Sequence, residues 1–153
     1  MQLHSRGARS SCVQPSAREM EMLGLKELRV NVDDNHPIEN CMEACAWCEL
    51  ACLAATETCL NDMRDEQLGL CLQLTLDCAE ICWTTRRFMA DALLAAPLLV
   101  REQLDSCALI CAACAAECRR HGELSYQLTA CSRTCARCEQ LCREMQVRVA
   151  KLD

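Results

Sequence analysis

Seventeen of the 153 residues are cysteine, and sixteen of them recur at intervals of three, four or seven inside four blocks. The first block holds Cys41, Cys45, Cys48, Cys52 and Cys59, and the second Cys71, Cys78 and Cys82. The third holds Cys107, Cys111, Cys114 and Cys118, and the fourth Cys131, Cys135, Cys138 and Cys142; Cys12 stands apart. Residues at these intervals share one stripe of an α-helix, so each block predicts a helix with a sulfur-lined face. Disulfides within a stripe fail on reach. Side chains three or four residues apart have Cβ atoms about 5–6 Å apart, whereas a bridge wants about 3.5–4.5 Å. A metal ion between two sulfurs spans the wider gap.

Ligand softness narrows the metal. Many thiolates, with almost no carboxylate or imidazole on the stripes, exclude calcium and magnesium and favour copper(I), zinc or iron–sulfur clusters. Structural zinc wants a closed tetrahedron of four ligands, usually from loops that wrap it. A rigid helix face offers pairs, which suits copper(I), an ion content with two or three soft ligands. If each thiolate bridges two ions and each ion takes two thiolates, capacity approaches one ion per stripe cysteine, on the order of 16 multiple ions in one core. Each copper(I) replaces one thiol proton, so a filled interior stays roughly neutral; sixteen buried unpaired thiolates would be prohibitive. An iron–sulfur electron-transfer protein and a zinc or mixed-metal thiolate buffer are the competing readings. The triplet Cys41-x3-Cys45-x2-Cys48 also copies the cluster motif of radical S-adenosylmethionine enzymes. Here it lies on unbroken helical period in a chain too small for their barrel, and no enzyme is expected.

The elements that must hold these stripes follow from the breakers. Asp33 to Asn35 offer polar caps before Pro37, a favoured first-turn residue, so a first helix is predicted over 37–61. The polar stretch NDMRDEQ marks a turn, a second helix follows over 65–95, and Pro97 opens the third. Gly122 is placed as the C-terminal cap of the third helix, and the fourth runs over 123–151. Four long helices joined by short turns predict an all-α, antiparallel up-down-up-down four-helix bundle with a cysteine-lined core over residues 36–153. Residues 1–35 read as a flexible N-terminal arm with room for one short helix. Extending each stripe brings Ile38, Ala55, Leu68, Thr75, Thr85, Met89, Leu104, His121, Leu128, Met145 and Val149 into the core. Aromatics are only 3% of the chain. Facing stripes of cysteine and threonine therefore lack the volume to fill a bundle whose axes sit roughly 8–10 Å apart. Such a tube, closed at its ends by Leu and Met, is a container.

In an antiparallel bundle His36, Met89 and Met145 fall at one end, and Met63 and His121 at the other. Soft thioether and imidazole groups there would hand copper inward one ligand at a time. Trp47, Leu50, Ile81 and Trp83 lie off the sulfur stripes, as flank packing or a subunit contact, and Glu39, Glu43, Glu49 and Glu57 read as a solvated face. The net charge of −6, with arginines scattered among acids, leaves no footprint for nucleic acid. No run of about 18 apolar residues suggests a membrane span, and no apolar N-terminal stretch suggests a secretory signal. The expected compartment is the reducing cytoplasm, where thiols stay free.

The segments CMEACAWCELAC, CLQLTLDCAEIC, CALICAACAAEC and CSRTCARCEQLC, spread over residues 41–142, resemble the bacterial four-helix-bundle copper storage proteins, in particular their cytosolic branch. The resemblance implies non-catalytic storage of many copper(I) ions by cysteines pointing into the bundle, with His and Met residues near a mouth. It also implies a homo-oligomer, commonly a tetramer. A copper-delivering protein or small thiol is the expected partner.

Overall fold

The computed structural model describes residues 36–62 and 66–152. Four α-helices dominate them: α1 Pro37–Asn61, α2 Gly69–Ala92, α3 Pro97–Arg120 and α4 Tyr126–Val149. Each packs on its neighbours in sequence, and α1 also packs on α4, which closes an antiparallel up-down-up-down bundle. No strand occurs among the described residues. The predicted arm, Cys12 and the cap candidates Asp33 to Asn35 lie outside the described residues.

Proline starts α1 and α3, where its missing N–H costs nothing because the first-turn amides have no intrahelical partner anyway. Arg119 and Arg120 sit in the last turn of α3, against the negative end of its dipole. Two predicted boundaries are corrected. The second helix starts with a 3-10 turn, Glu66–Leu68, and ends at Ala92 rather than 95, because Pro97 forces Ala96 out of helical geometry to φ −147°, ψ 64°. The fourth helix starts at Tyr126 rather than 123. Gly122–Leu124 form a 3-10 turn, and extended Ser125 caps α4 by accepting from the Leu128 amide at 3.2 Å.

Gly122 does not play the expected left-handed cap, since no described glycine has a positive φ. Close approach is what its position uses. The Thr129 hydroxyl donates to the Gly122 carbonyl at 3.0 Å, and a Cβ on residue 122 would meet that same oxygen at 3.0 Å.

The stripe extensions sit where period places them. Ala55, Thr75, Thr85, Leu104, Leu128 and Val149 are wholly inaccessible, with Leu68, Met89 and Met145 nearly so. Ile38 is half-buried against the core. The core threonines carry no unpaired hydroxyl: Thr75 donates to the Leu72 carbonyl at 2.9 Å and accepts from Thr56 at 2.9 Å. Thr85 donates to Ile81 at 2.7 Å and accepts from Gln103 at 3.0 Å. On the flanks Trp47 and Ile81 pack half-buried against the core, while Trp83 is exposed with the Arg87 guanidinium 5.0 Å over its ring. Glu49 is not merely solvated as expected; it forms an ion pair with Arg86 of α2, because the two helices turn these positions toward each other.

Candidate metal centre

All sixteen stripe cysteines are buried and free, and they meet along the bundle axis. Their helices rotate these faces inward because the opposite faces carry the charged residues, whose burial would cost far more than burial of a neutral thiol. Near the start of α1 and the end of α4, Cys142 Sγ lies 3.9 Å from both Cys41 and Cys45, and Cys138 Sγ lies 3.6 Å from Cys45. Cys82 reaches Cys107 at 3.9 Å and Cys111 at 3.8 Å. At mid-bundle, Cys48 contacts Cys78 at 3.7 Å, Cys111 at 3.8 Å and Cys135 at 3.5 Å. Beyond it, Cys52 lies 3.6 Å from Cys135, 3.7 Å from Cys131 and 4.0 Å from Cys114. Cys118 lies 4.0 Å from Cys114 and 3.8 Å from Cys71, next to which Cys59 ends the column.

Four sets of four sulfurs are compact enough to hold a metal ion, every ligand atom within 4.8 Å of the others in its set. They are Cys45, Cys107, Cys138, Cys142; Cys48, Cys82, Cys111, Cys138; Cys48, Cys52, Cys78, Cys135; and Cys52, Cys114, Cys131, Cys135. Successive sets share members. Cys138 belongs to the first two, Cys48 to the second and third, and Cys52 and Cys135 to the third and fourth. The shared members make the arrangement a continuous column and not a row of separate centres.

The thiols form one proton-sharing network. Hydrogen bonding with Cys111 and Cys135, followed by burial, holds Cys48 well above the ordinary thiol value, and Cys114, Cys131 and burial do the same for Cys52. Cys78, Cys107 and Cys131 are pushed down by hydrogen bonding with several neighbouring thiols. At the far end burial raises Cys59 to about 12, while the hydrogen bond from Cys118 lowers Cys71 to about 7. Protonated, the column is neutral and tolerates burial, so the empty bundle can fold. Each soft cation that enters displaces a proton and leaves the interior charge nearly unchanged.

A family model described as copper storage protein matches residues 34–147. The chain belongs to that family. Copper storage is therefore its function, and the sulfur column is the feature suited to it. The cytosolic copper storage protein of Streptomyces lividans, in a structure with five coppers, is 32% identical with a TM-score of 0.70, over 74% of this chain and 95% of that one. The same organism's protein, Ccsp, loaded with 10 copper equivalents is 31% identical with a TM-score of 0.70, over 76% of this chain and 89% of that one. The cysteine-rich protein YhjQ of Bacillus subtilis strain 168 is 35% identical over 83 residues, 54% of this chain and 73% of its own length.

The side chains expected near the ends of this copper storage protein fall in different settings. His36 is exposed at the start of α1, whereas Met89 and Met145 are buried at that same end, which Leu93, Val100, Leu104 and Val149 also fill. His121 follows α3 at the opposite end, its side chain 11% exposed and its Nε2 3.0 Å from Glu117 Oε1. Met63 lies outside the described residues. Glu117 was not among the expected site residues, although a carboxylate one helical turn before a histidine is a readable pairing signal.

Proposed function

We propose that this chain stores copper in the copper(I) state, bound by thiolates of Cys41, Cys45, Cys48, Cys52, Cys59, Cys71, Cys78, Cys82, Cys107, Cys111, Cys114, Cys118, Cys131, Cys135, Cys138 and Cys142. The observation that carries this is the unbroken column of free thiols, in which no step from Cys41 to Cys71 exceeds 4.8 Å. Thiolate selects soft, low-charge ions, and bridging thiolates let two-coordinate copper(I) fill the column at about one ion per sulfur. The storage domain spans residues 36–153. The protein works in the reducing cytoplasm, catalyses nothing, and assembles as a homo-oligomer, the tetramer that the family resemblance implies. A delivering protein or small thiol supplies the copper.

Soft groups at the ends carry the ion inward: His36, Met89 and Met145 at one end, His121 at the other. Support is stronger for His121. Among the described residues Leu68 and Leu128 are buried at the His121 end, whereas Leu93, Val100, Leu104 and Val149 fill the methionine end. Anaerobic titration of the reduced protein tests the storage reading. It should bind on the order of 16 copper(I) ions without visible colour, and saturation at one or two would end the proposal.

Zinc is the second reading, favoured by one observation: sulfur pairs 3.6–3.8 Å apart match the edge of a tetrahedron with bonds of about 2.3 Å. The sharing of Cys48, Cys52, Cys135 and Cys138 between sets counts against it, because closed single-ion sites need ligands of their own. Competition decides. Copper(I) added to zinc-loaded protein should displace the zinc completely.

A further inference from the structure

Glu117 is one of the few buried charged residues of the bundle, 7% exposed, and the sulfur chemistry above does not use it. Its Oε1 lies 3.0 Å from His121 Nε2, and its Oε2 accepts from Arg120 Nη1 at 3.2 Å, so both oxygens are committed. The backbone beneath the ring is tied on both sides. The His121 amide donates to the Cys118 carbonyl at 3.3 Å, and the Leu124 amide donates to the His121 carbonyl at 3.0 Å. The Thr129 hydroxyl anchors the next residue, Gly122, at 3.0 Å. Little freedom remains for the imidazole except rotation of the ring, and the carboxylate removes that.

We propose that Glu117 is a positioning residue for copper uptake, holding His121 as the tautomer with its proton on Nε2 so that the Nδ1 lone pair meets the incoming ion above Cys71 and Cys118. This rests on the reading of His121 as an uptake residue. A neutral imidazole has one donor and one acceptor nitrogen, and the hydrogen bond made by one sets the role of the other. Glu117 accepts from Nε2–H, which leaves Nδ1 as the acceptor. Among the described residues nothing else hydrogen-bonds to that nitrogen. His121 caps α3 three residues after Cys118, whose sulfur lies 3.8 Å from Cys71, so the ring belongs to the end of the column that holds the last sulfurs. A carboxylate behind a metal-binding histidine fixes ring orientation and raises ligand basicity. Copper(I) released by its donor forms a bond to Nδ1, then exchanges it for a bond to Cys71 Sγ; the thiol proton leaves to solvent and the metal keeps its oxidation state.

Two measurements test this. In stopped-flow uptake of copper(I) from a coloured chelator complex, Glu117→Leu should slow the first phase on the order of tenfold, and in a His121→Ala background the same substitution should add nothing. Equal slowing in both backgrounds overturns the positioning role and leaves the His121 reading intact. No slowing by His121→Ala alone overturns the uptake reading itself. The second measurement needs no substitution at position 117. Nitrogen-15 NMR of the native copper-free chain, at a pH where the ring is neutral and with His121 assigned by its loss in His121→Ala, should show the proton on Nε2; a proton on Nδ1 overturns the proposal.

Discussion

Cys48 Sγ and Cys135 Sγ lie 3.5 Å apart across the bundle, joining α1 to α4 at mid-column. The two residues together serve three of the four compact sulfur sets, so they connect the column's halves. The separation is well beyond the roughly 2.05 Å of a disulfide and short enough for one ion to bridge.

Removing sulfur at this level should cut capacity without breaking the fold. In the variant with Cys111, Cys114, Cys135 and Cys138 all changed to Ala, each replacement deletes one buried atom and costs on the order of 1 kcal/mol. Helicity by circular dichroism should persist while the anaerobic titration endpoint falls by at least four ions. Loss of the fold would show that these thiols serve packing first and metal second.

The aliphatic end is where packing dominates. Leu104 is wholly inaccessible beside Val100 and Val149, and Leu104→Ala should destabilise the copper-free bundle by about 2–5 kcal/mol. Copper loading should raise the stability of wild type and variant alike, since ions bridging the helices bind the folded state alone. Thermal unfolding with and without copper(I) checks both halves, and an unfolding temperature that does not rise on loading would contradict the bridging.

Stability should also vary with pH in two windows of opposite sign. Burial raises Cys59 from 9.0 to about 12. Its contribution is therefore fully present below pH 9 and is lost as pH rises through 12. The hydrogen bond from Cys118 lowers Cys71 from 9.0 to about 7, so its contribution is present above pH 9 and is lost as pH falls through 7. In the copper-free protein, Cys59→Ala should flatten the fall in unfolding temperature between pH 9 and 12, and Cys71→Ala should flatten the rise between pH 7 and 9.

The sulfur column was legible because helical period is a property of each segment alone: Cys107, Cys111, Cys114 and Cys118 share a stripe whatever packs on them. Thr75 and Thr85 were legible for the same reason. What escaped depends on relations between segments. The ion pair of Glu49 with Arg86 needs the rotation of α2 against α1, which spacing within α1 does not contain. Gly122 has the residue type of a left-handed cap, but the short connection to Ser125 is met by a 3-10 turn, and glycine there serves the contact with Thr129. Glu117 pairs with His121 one turn on, a spacing the sequence contains, but its burial depends on how the neighbouring helices pack over it.

The two ends should differ in kinetics. Met89 and Met145 are 2% and 4% exposed, and leucine nearly conserves their volume, so Met89→Leu with Met145→Leu tests the thioether sulfurs with little packing cost. His121→Ala instead removes the imidazole at the end of the column where Cys71 and Cys118 lie. With a copper(I) chelator as donor, His121→Ala should slow uptake on the order of tenfold, and the double methionine variant by less than about threefold. The reverse order would place the working mouth at the methionine end, and equal slowing would mean that ions enter from both.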